Sequence, residues 1–279
     1  MNDTANMASS PASFLRIAPA AFVAAVTLGA ASSALAGGQY AFQDRDVSRV
    51  ISIGGACERC ELSGRRLTGA NFIGANFSQA TLVGSDLRGT TITGSDFSEV
   101  DFTRADLRGA SLVGTSFVDA DFTQARLDGV EAHGARFSDA DMTGANLSGA
   151  ELFGADFSDV DATGANFSGA ELRGANLADG DFTGATFSEA NLNGARLRDG
   201  DFTRANFAQA NLLRADIRGA DLSAARGLTQ AQVNSACGDA DTDLPRGLTV
   251  RQCRGPSAPP RPPSPPSAPR QVMVIAGAY

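Results

Sequence analysis

From Leu62 to Leu222 every fifth residue is apolar, and that period fits neither common element. An α-helix repeats its faces about every 3.6 residues and a flat strand about every 2. All 33 positions hold Leu or Phe except Ile92, Ala132, Met142, Ala162 and Ile217. Two residues before each sits a small residue, usually alanine, as at Ala70, Ala75, Ala80 and onward to Ala220. The residue between them is Asp, Asn, Glu, Ser, Thr or Arg, and two mostly small or polar residues follow. A chain that turns a corner every five residues, with two side chains inward on each side, satisfies this pattern. Leu or Phe then fills the centre and Ala packs at its edge.

Local exchanges of volume support the inward assignment. Where the central residue shrinks to Ala132 or Ala162, the preceding inward residue grows to Val130 or Val160. Where the inward small residue is only Gly180 or Gly200, the central residue is Phe182 or Phe202. Close packing requires such conservation of volume. Val100 beside Phe102 breaks the trade, so it is a tendency and not a rule. Arg65 is the clear misfit at a small inward position, and it lies in the first coil, where the edge is open.

The stretches GANFIGANFSQATLVGSDL (69–87), TGANLSGAELFGADF (143–157) and GANLADGDF (174–182) carry the motif A-[DN]-L-x-x. In this the chain resembles the pentapeptide-repeat family over about residues 57–226. The resemblance implies an all-β fold, a right-handed quadrilateral β-helix with four pentapeptides per coil. Thirty-three repeats then make roughly eight coils, a rod on the order of 40 Å long at about 4.8 Å per coil. A short helix often follows the last coil in the family. LTQAQVNSA (228–236), which has no five-residue period and a helix-like start at Thr229, is placed as that helical cap.

The same frame divides the rest of the chain. Residues 1–36 read as a signal peptide: Arg16 ends the n-region, 17–36 is apolar, and Ala34-Leu35-Ala36 is an A-x-A cleavage site before Gly37. The apolar run approaches spanning length, so a membrane anchor is the alternative. It is broken by Pro19 and rich in Ala, Ser, Thr and Gly, which favours cleavage and a periplasmic or secreted protein. Residues 37–56 are the N-terminal cap, with Val50, Ile51 and Ile53 as packing residues, and 227–254 the C-terminal cap. Residues 255–279 are a Pro-rich linker and a short apolar tail, QVMVIAGAY.

Four cysteines form two local pairs, Cys57 with Cys60 and Cys237 with Cys253. On a rod of the implied length the pairs sit at opposite ends, and bridged Cα atoms lie only about 4.4–6.8 Å apart. Local disulfides are therefore expected, and an oxidising compartment favours them.

An acidic motif recurs at intervals of twenty: SEVDFT (98–103), VDADFT (118–123), SDADMT (138–143), SDVDAT (158–163), ADGDFT (178–183) and RDGDFT (198–203). With twenty residues per coil these stack into two outward columns. One is Glu99, Asp119, Asp139, Asp159, Asp179 and Asp199; the other is Asp101, Asp121, Asp141, Asp161, Asp181, Asp201 and Asp221. They flank one corner, because the small residue between them points inward. Like charges about 5 Å apart repel by roughly 0.8 kcal/mol in water. Arg104, Arg198 and Arg204 are expected to neutralise the ends, leaving Asp119 to Asp181 as the region with most open charge.

Composition limits the ligand classes. All 23 basic residues are arginine and the net charge is −8, which opposes direct binding of nucleic acid or anionic lipid. It suits a basic protein partner, or a divalent cation such as Ca²⁺, although no EF-hand-like ligand set is present. Some proteins of the resembled family mimic B-DNA and bind DNA gyrase; that reading conflicts with an export signal. The sole histidine, His133, is expected outward on a coil and solvated. No nucleophile–base pair, phosphate loop or His/Cys ligand cluster is found, and the carboxylate pairs lie on a convex edge, not in a cleft. The sequence therefore reads as a non-enzymatic scaffold without a cofactor, with a protein partner at the acidic edge.

Overall fold

The computed structural model describes residues 54–250 and 252. The expected signal peptide, the packing residues Val50, Ile51 and Ile53, Cys253 and the Pro-rich tail lie outside the described residues.

Every pentapeptide adopts the same local course. The residue before the central Leu or Phe bridges to its equivalent twenty residues on, in parallel, as at Asp121↔Asp141 and Asn146↔Asn166. Two turn residues follow the centre, and the next inward N–H closes the turn, as when Ala145 N–H donates to the Met142 carbonyl (2.9 Å). Successive coils are stitched by three kinds of bond, one of them from the second turn residue's N–H to the first turn residue's carbonyl in the next coil, as from Gly129 to Ser148 (3.0 Å). The central N–H donates forward, as from Leu127 to the Asn146 carbonyl (2.7 Å), and the preceding N–H donates back, as from Asn146 to the Ala125 carbonyl (2.9 Å). Four such turns fall in each twenty-residue period, so the chain is a solenoid of short parallel bridges.

The second turn residue has a positive φ at every turn from Gly54 to Gly219, the sign that a type II turn requires there. Glycine tolerates this without a Cβ penalty, and it fills most of these positions.

The central and small inward side chains form one continuous core, and nearly all are fully buried. Phenylalanines stack along the axis: Phe77 on Phe97 with ring centroids 4.7 Å apart, Phe102 on Phe122 at 4.8 Å, Phe182 on Phe202 at 4.9 Å. A Cβ built on Gly180 would lie 2.8 Å from Phe182 Cε2, and one on Gly200 2.9 Å from Phe202 Cε2. These two centres fill the space that alanine takes elsewhere. Hydroxyls at inward positions are satisfied by carbonyls: Ser85 Oγ donates to Leu82 O (2.7 Å) and Thr115 Oγ1 to Ile92 O (2.7 Å). Among the described residues no buried side-chain polar atom lacks a partner, as the low-dielectric core demands.

The register lengthens at the C-terminal end, where Asp216 pairs with Cys237 and Asp221 with Asp243. Helix α1 (Gln230–Ser235) stands where a bridge to Asn211 would continue the pattern, with Thr229 as N-cap in a capping box with Gln232. Gln232 Nε2 also donates to the Phe207 and Ala210 carbonyls (2.8 and 2.9 Å), and α1 buries Val233. Gln232 thus occupies the Ala210 carbonyl, which takes no backbone N–H among the described residues. At the other end Cys57 and Cys60 form a disulfide with Cα atoms 5.3 Å apart. Cys237 is also disulfide-bonded.

Candidate functional site

The two acidic columns, alike in sequence, are held by different local physics. Asp101, Asp121, Asp141, Asp161, Asp181, Asp201 and Asp221 occupy the bridging position. Each carboxylate accepts the N–H two residues on: Thr123 donates to Asp121 Oδ1 at 2.7 Å, Thr143 to Asp141 at 2.8 Å, Thr203 to Asp201 at 2.8 Å. These are Asx turns, which pair a turn N–H with a short acidic or amide side chain. Asn146 does the same for Ser148 (3.2 Å) and Asp156 for Ser158 (3.2 Å) on other sides. This column therefore has a structural task wherever it occurs.

The other column has no such task. Glu99, Asp119, Asp139, Asp159, Asp179 and Asp199 sit at the left-handed turn position, with φ of 58°, 58°, 61°, 58°, 62° and 55°. On the neighbouring corner that place is glycine at Gly74, Gly94, Gly114, Gly134, Gly154, Gly174 and Gly194. A non-glycine residue there costs on the order of 1–2 kcal/mol, less for Asp than for bulkier side chains. The column starts in a polar chain, Arg59 Nε to Gln79 Oε1 (2.7 Å) and Gln79 Nε2 to Glu99 Oε2 (2.8 Å). Asp119, Asp139, Asp159 and Asp179 are exposed and make no side-chain hydrogen bond or ion pair among the described residues. In the second column Asp141, Asp161 and Asp181 are also exposed. The open carboxylates thus cluster between Asp119 and Asp181.

The expected arginine partners of this edge are placed otherwise. Arg198 reaches away from the edge to Asp216 (Nε–Oδ2 2.5 Å), which Arg218 also binds (2.8 Å). Arg104 and Arg204 make no ion pair with the edge among the described residues. Adjacency in sequence misleads here because successive residues at a turn point to different sides. No group of three or more His, Cys, Asp or Glu among the described residues could hold a metal ion.

Arginine instead pairs on another side. Asp86 takes a two-pronged contact from Arg88 (2.8 and 2.7 Å), and Asp106 takes one from Arg108 (2.7 and 2.6 Å). Arg88 also links the coils through Asp106 (3.9 Å). The hydrogen bond from Arg88 lowers the Asp86 carboxyl to about 2, and the one from Arg108 lowers Asp106 in the same direction.

A further column escaped the sequence reading. Ile73, Phe153 and Leu213 are the exposed large apolar side chains among the described residues. All three fall at the first turn position of one corner, the corner before the acidic edge. His133 is in the same column, with its Nε2 3.1 Å from Glu151 Oε2, and so is Arg173. The signal was there, since 73, 153 and 213 differ by multiples of twenty, but an isolated apolar turn residue draws no notice.

A solenoid whose inside is one apolar column and whose outside is sorted into chemical stripes is a repeat scaffold. The chain belongs to the pentapeptide repeat family, whose model matches in eight copies over 57–94, 95–131, 120–159, 133–169, 150–188 and 187–223. Among solved structures it is similar to QnrB1, a plasmid-mediated fluoroquinolone resistance protein. The two are 20% identical over 67% of this chain and 92% of that one, with a TM-score of 0.50. It is also similar to HetL, a pentapeptide repeat protein involved in heterocyst differentiation regulation from the cyanobacterium Nostoc sp. strain PCC 7120. There the identity is 27%, the coverage 67% and 84%, and the TM-score 0.46. The QnrB1 likeness supports the shared solenoid fold alone. No curated protein matches the chain.

Proposed function

We propose that this protein is an exported, non-enzymatic scaffold, a right-handed quadrilateral solenoid of roughly eight coils, that binds a basic protein along its acidic edge. The observation that carries this reading is the run of carboxylates at left-handed turn positions. Asp119, Asp139, Asp159 and Asp179 stand where glycine would be easier, repel one another, and gain no internal partner. Strain of this kind points toward a surface kept for use. Export rests on the A-x-A site after the apolar segment 17–36 and on the paired cysteines.

The test uses Asp→Asn changes at 139, 141, 159 and 161. Asparagine keeps the Asx acceptors and tolerates the left-handed turn, so the variant removes charge without removing structure. A basic protein captured by the wild type in a pull-down from the cell envelope and lost with the variant supports the reading; equal capture refutes it. Cell fractionation tests export. A cytoplasmic location would favour the gyrase-mimic alternative, which an assay for inhibition of DNA supercoiling then decides. Calcium titration of the same pair of proteins tests the cation alternative, which requires stabilisation of the wild type alone.

A further inference from the structure

The geometry points to the Phe153 corner as an apolar anchor that accepts an arginine-bearing, partly apolar segment of a partner protein. This deepens the reading of the acidic edge and rests on it for the partner's charge.

Phe153 is 54% exposed, the most open of the exposed large apolar side chains among the described residues. Glu131, Glu151 and Glu171 stack beside it through consecutive parallel bridges two residues before this corner. The chain itself shows what this surface receives. The Arg173 guanidinium lies over the Phe153 ring, 5.6 Å from its centroid, while its Nε is 3.4 Å from Glu171 Oε2. An aromatic face bordered by carboxylates is the combination that recognises a guanidinium, by attraction to the ring and by ion pairing. Even with Arg173 over its ring, Phe153 keeps more than half of its residue surface exposed.

Charge complementarity selects the occupant. Between Arg136 and Arg173 the sequence contains no basic residue, while Asp139, Asp141, Glu151, Asp156, Asp159, Asp161 and Glu171 fall within that stretch. Phe153 lies in its middle. One side of the solenoid joins the Phe153 corner to the acidic corner, and Asp156 lies between them. Nucleic acid and anionic lipid are repelled by such a surface. A cationic polypeptide is attracted, and an apolar residue beside its arginine gains contact with Phe153 that a purely polar chain does not.

Two labelled peptides of equal charge, (Arg-Leu)4 and (Arg-Ser)4, separate these contributions when titrated with the full chain by fluorescence anisotropy. The wild type is expected to bind (Arg-Leu)4 about tenfold more tightly than (Arg-Ser)4, the scale of one anchoring side chain. Phe153→Ser, at an exposed turn position, should abolish the preference without changing the thermal midpoint. The fourfold Asp→Asn variant should weaken both peptides and keep the preference. A preference that survives Phe153→Ser overturns the anchor and leaves the acidic edge standing. Peptide affinity unchanged by the fourfold variant overturns the acidic edge and leaves the anchor. Binding to phosphatidylserine vesicles would overturn the partner class.

Discussion

Phe157 meets Phe167 edge to face, with ring centroids 5.8 Å apart and planes at 90°, where the aromatic stack changes sides. Up to that point Phe77, Phe97, Phe117, Phe137 and Phe157 line one side, and Leu67, Leu87, Leu107, Leu127 and Leu147 face them across the core. Beyond it the sides exchange: Phe167, Phe187 and Phe207 face Leu177, Leu197 and Ile217. On these two sides each facing pair carries one ring, and a second would overfill the space.

This pairing predicts coupled stabilities. Phe157→Leu and Leu147→Phe should each destabilise by about 1–2 kcal/mol, one by a cavity and the other by crowding. The double variant only moves the crossover one coil earlier and should recover most of the loss. Urea titration of the four proteins measures the coupling, and additive losses would count against the facing arrangement.

The left-handed turns give an opposite expectation at the surface. Asp159, at φ 58°, should gain about 0.5–1 kcal/mol on replacement by glycine, through relief of the turn and of repulsion from Asp139 and Asp179. Asp159→Asn should gain less, because it relieves only the charge. Thermal midpoints of the two variants separate these terms. A glycine variant less stable than the asparagine one would show that the turn is unstrained.

Stability in acid should reflect Asp86. Its folded pKa of about 2, set first by the Arg88 hydrogen bond, lies below the usual carboxylate value. The contribution is therefore complete above the unfolded value of about 3.9 and fades as pH falls through about 2. Arg88 is half exposed, and screening limits the pair to about 1 kcal/mol. Chemical unfolding of wild type and Asp86→Asn should differ by that amount at pH 6 and converge near pH 2. A constant difference would exclude the ion pair as its source.

The inward register was legible because a five-residue period has few solutions. Even fine packing showed, as at Gly180 beside Phe182, where the missing Cβ marks the space the ring needs. The difference between Asp139 and Asp141 was not legible. Both are aspartates in columns of aspartates, and only the backbone reveals that Asp141 accepts the Thr143 N–H while Asp139 bends into a left-handed turn. Arg198 was hidden for a similar reason: its partner is Asp216 in the next coil, not the acid beside it in sequence.

The bridges twenty residues apart have an evolutionary consequence. An insertion of five residues would preserve every inward Leu and Phe, so the chain would still fold. It would also rotate all later side chains by one corner, cutting the acidic stripe and the Phe153 column in two. Only insertions of a whole coil lengthen the rod and leave its surface in line. The interior counts in fives and the exterior in twenties, so a lineage can change what the rod presents without relearning how to build it.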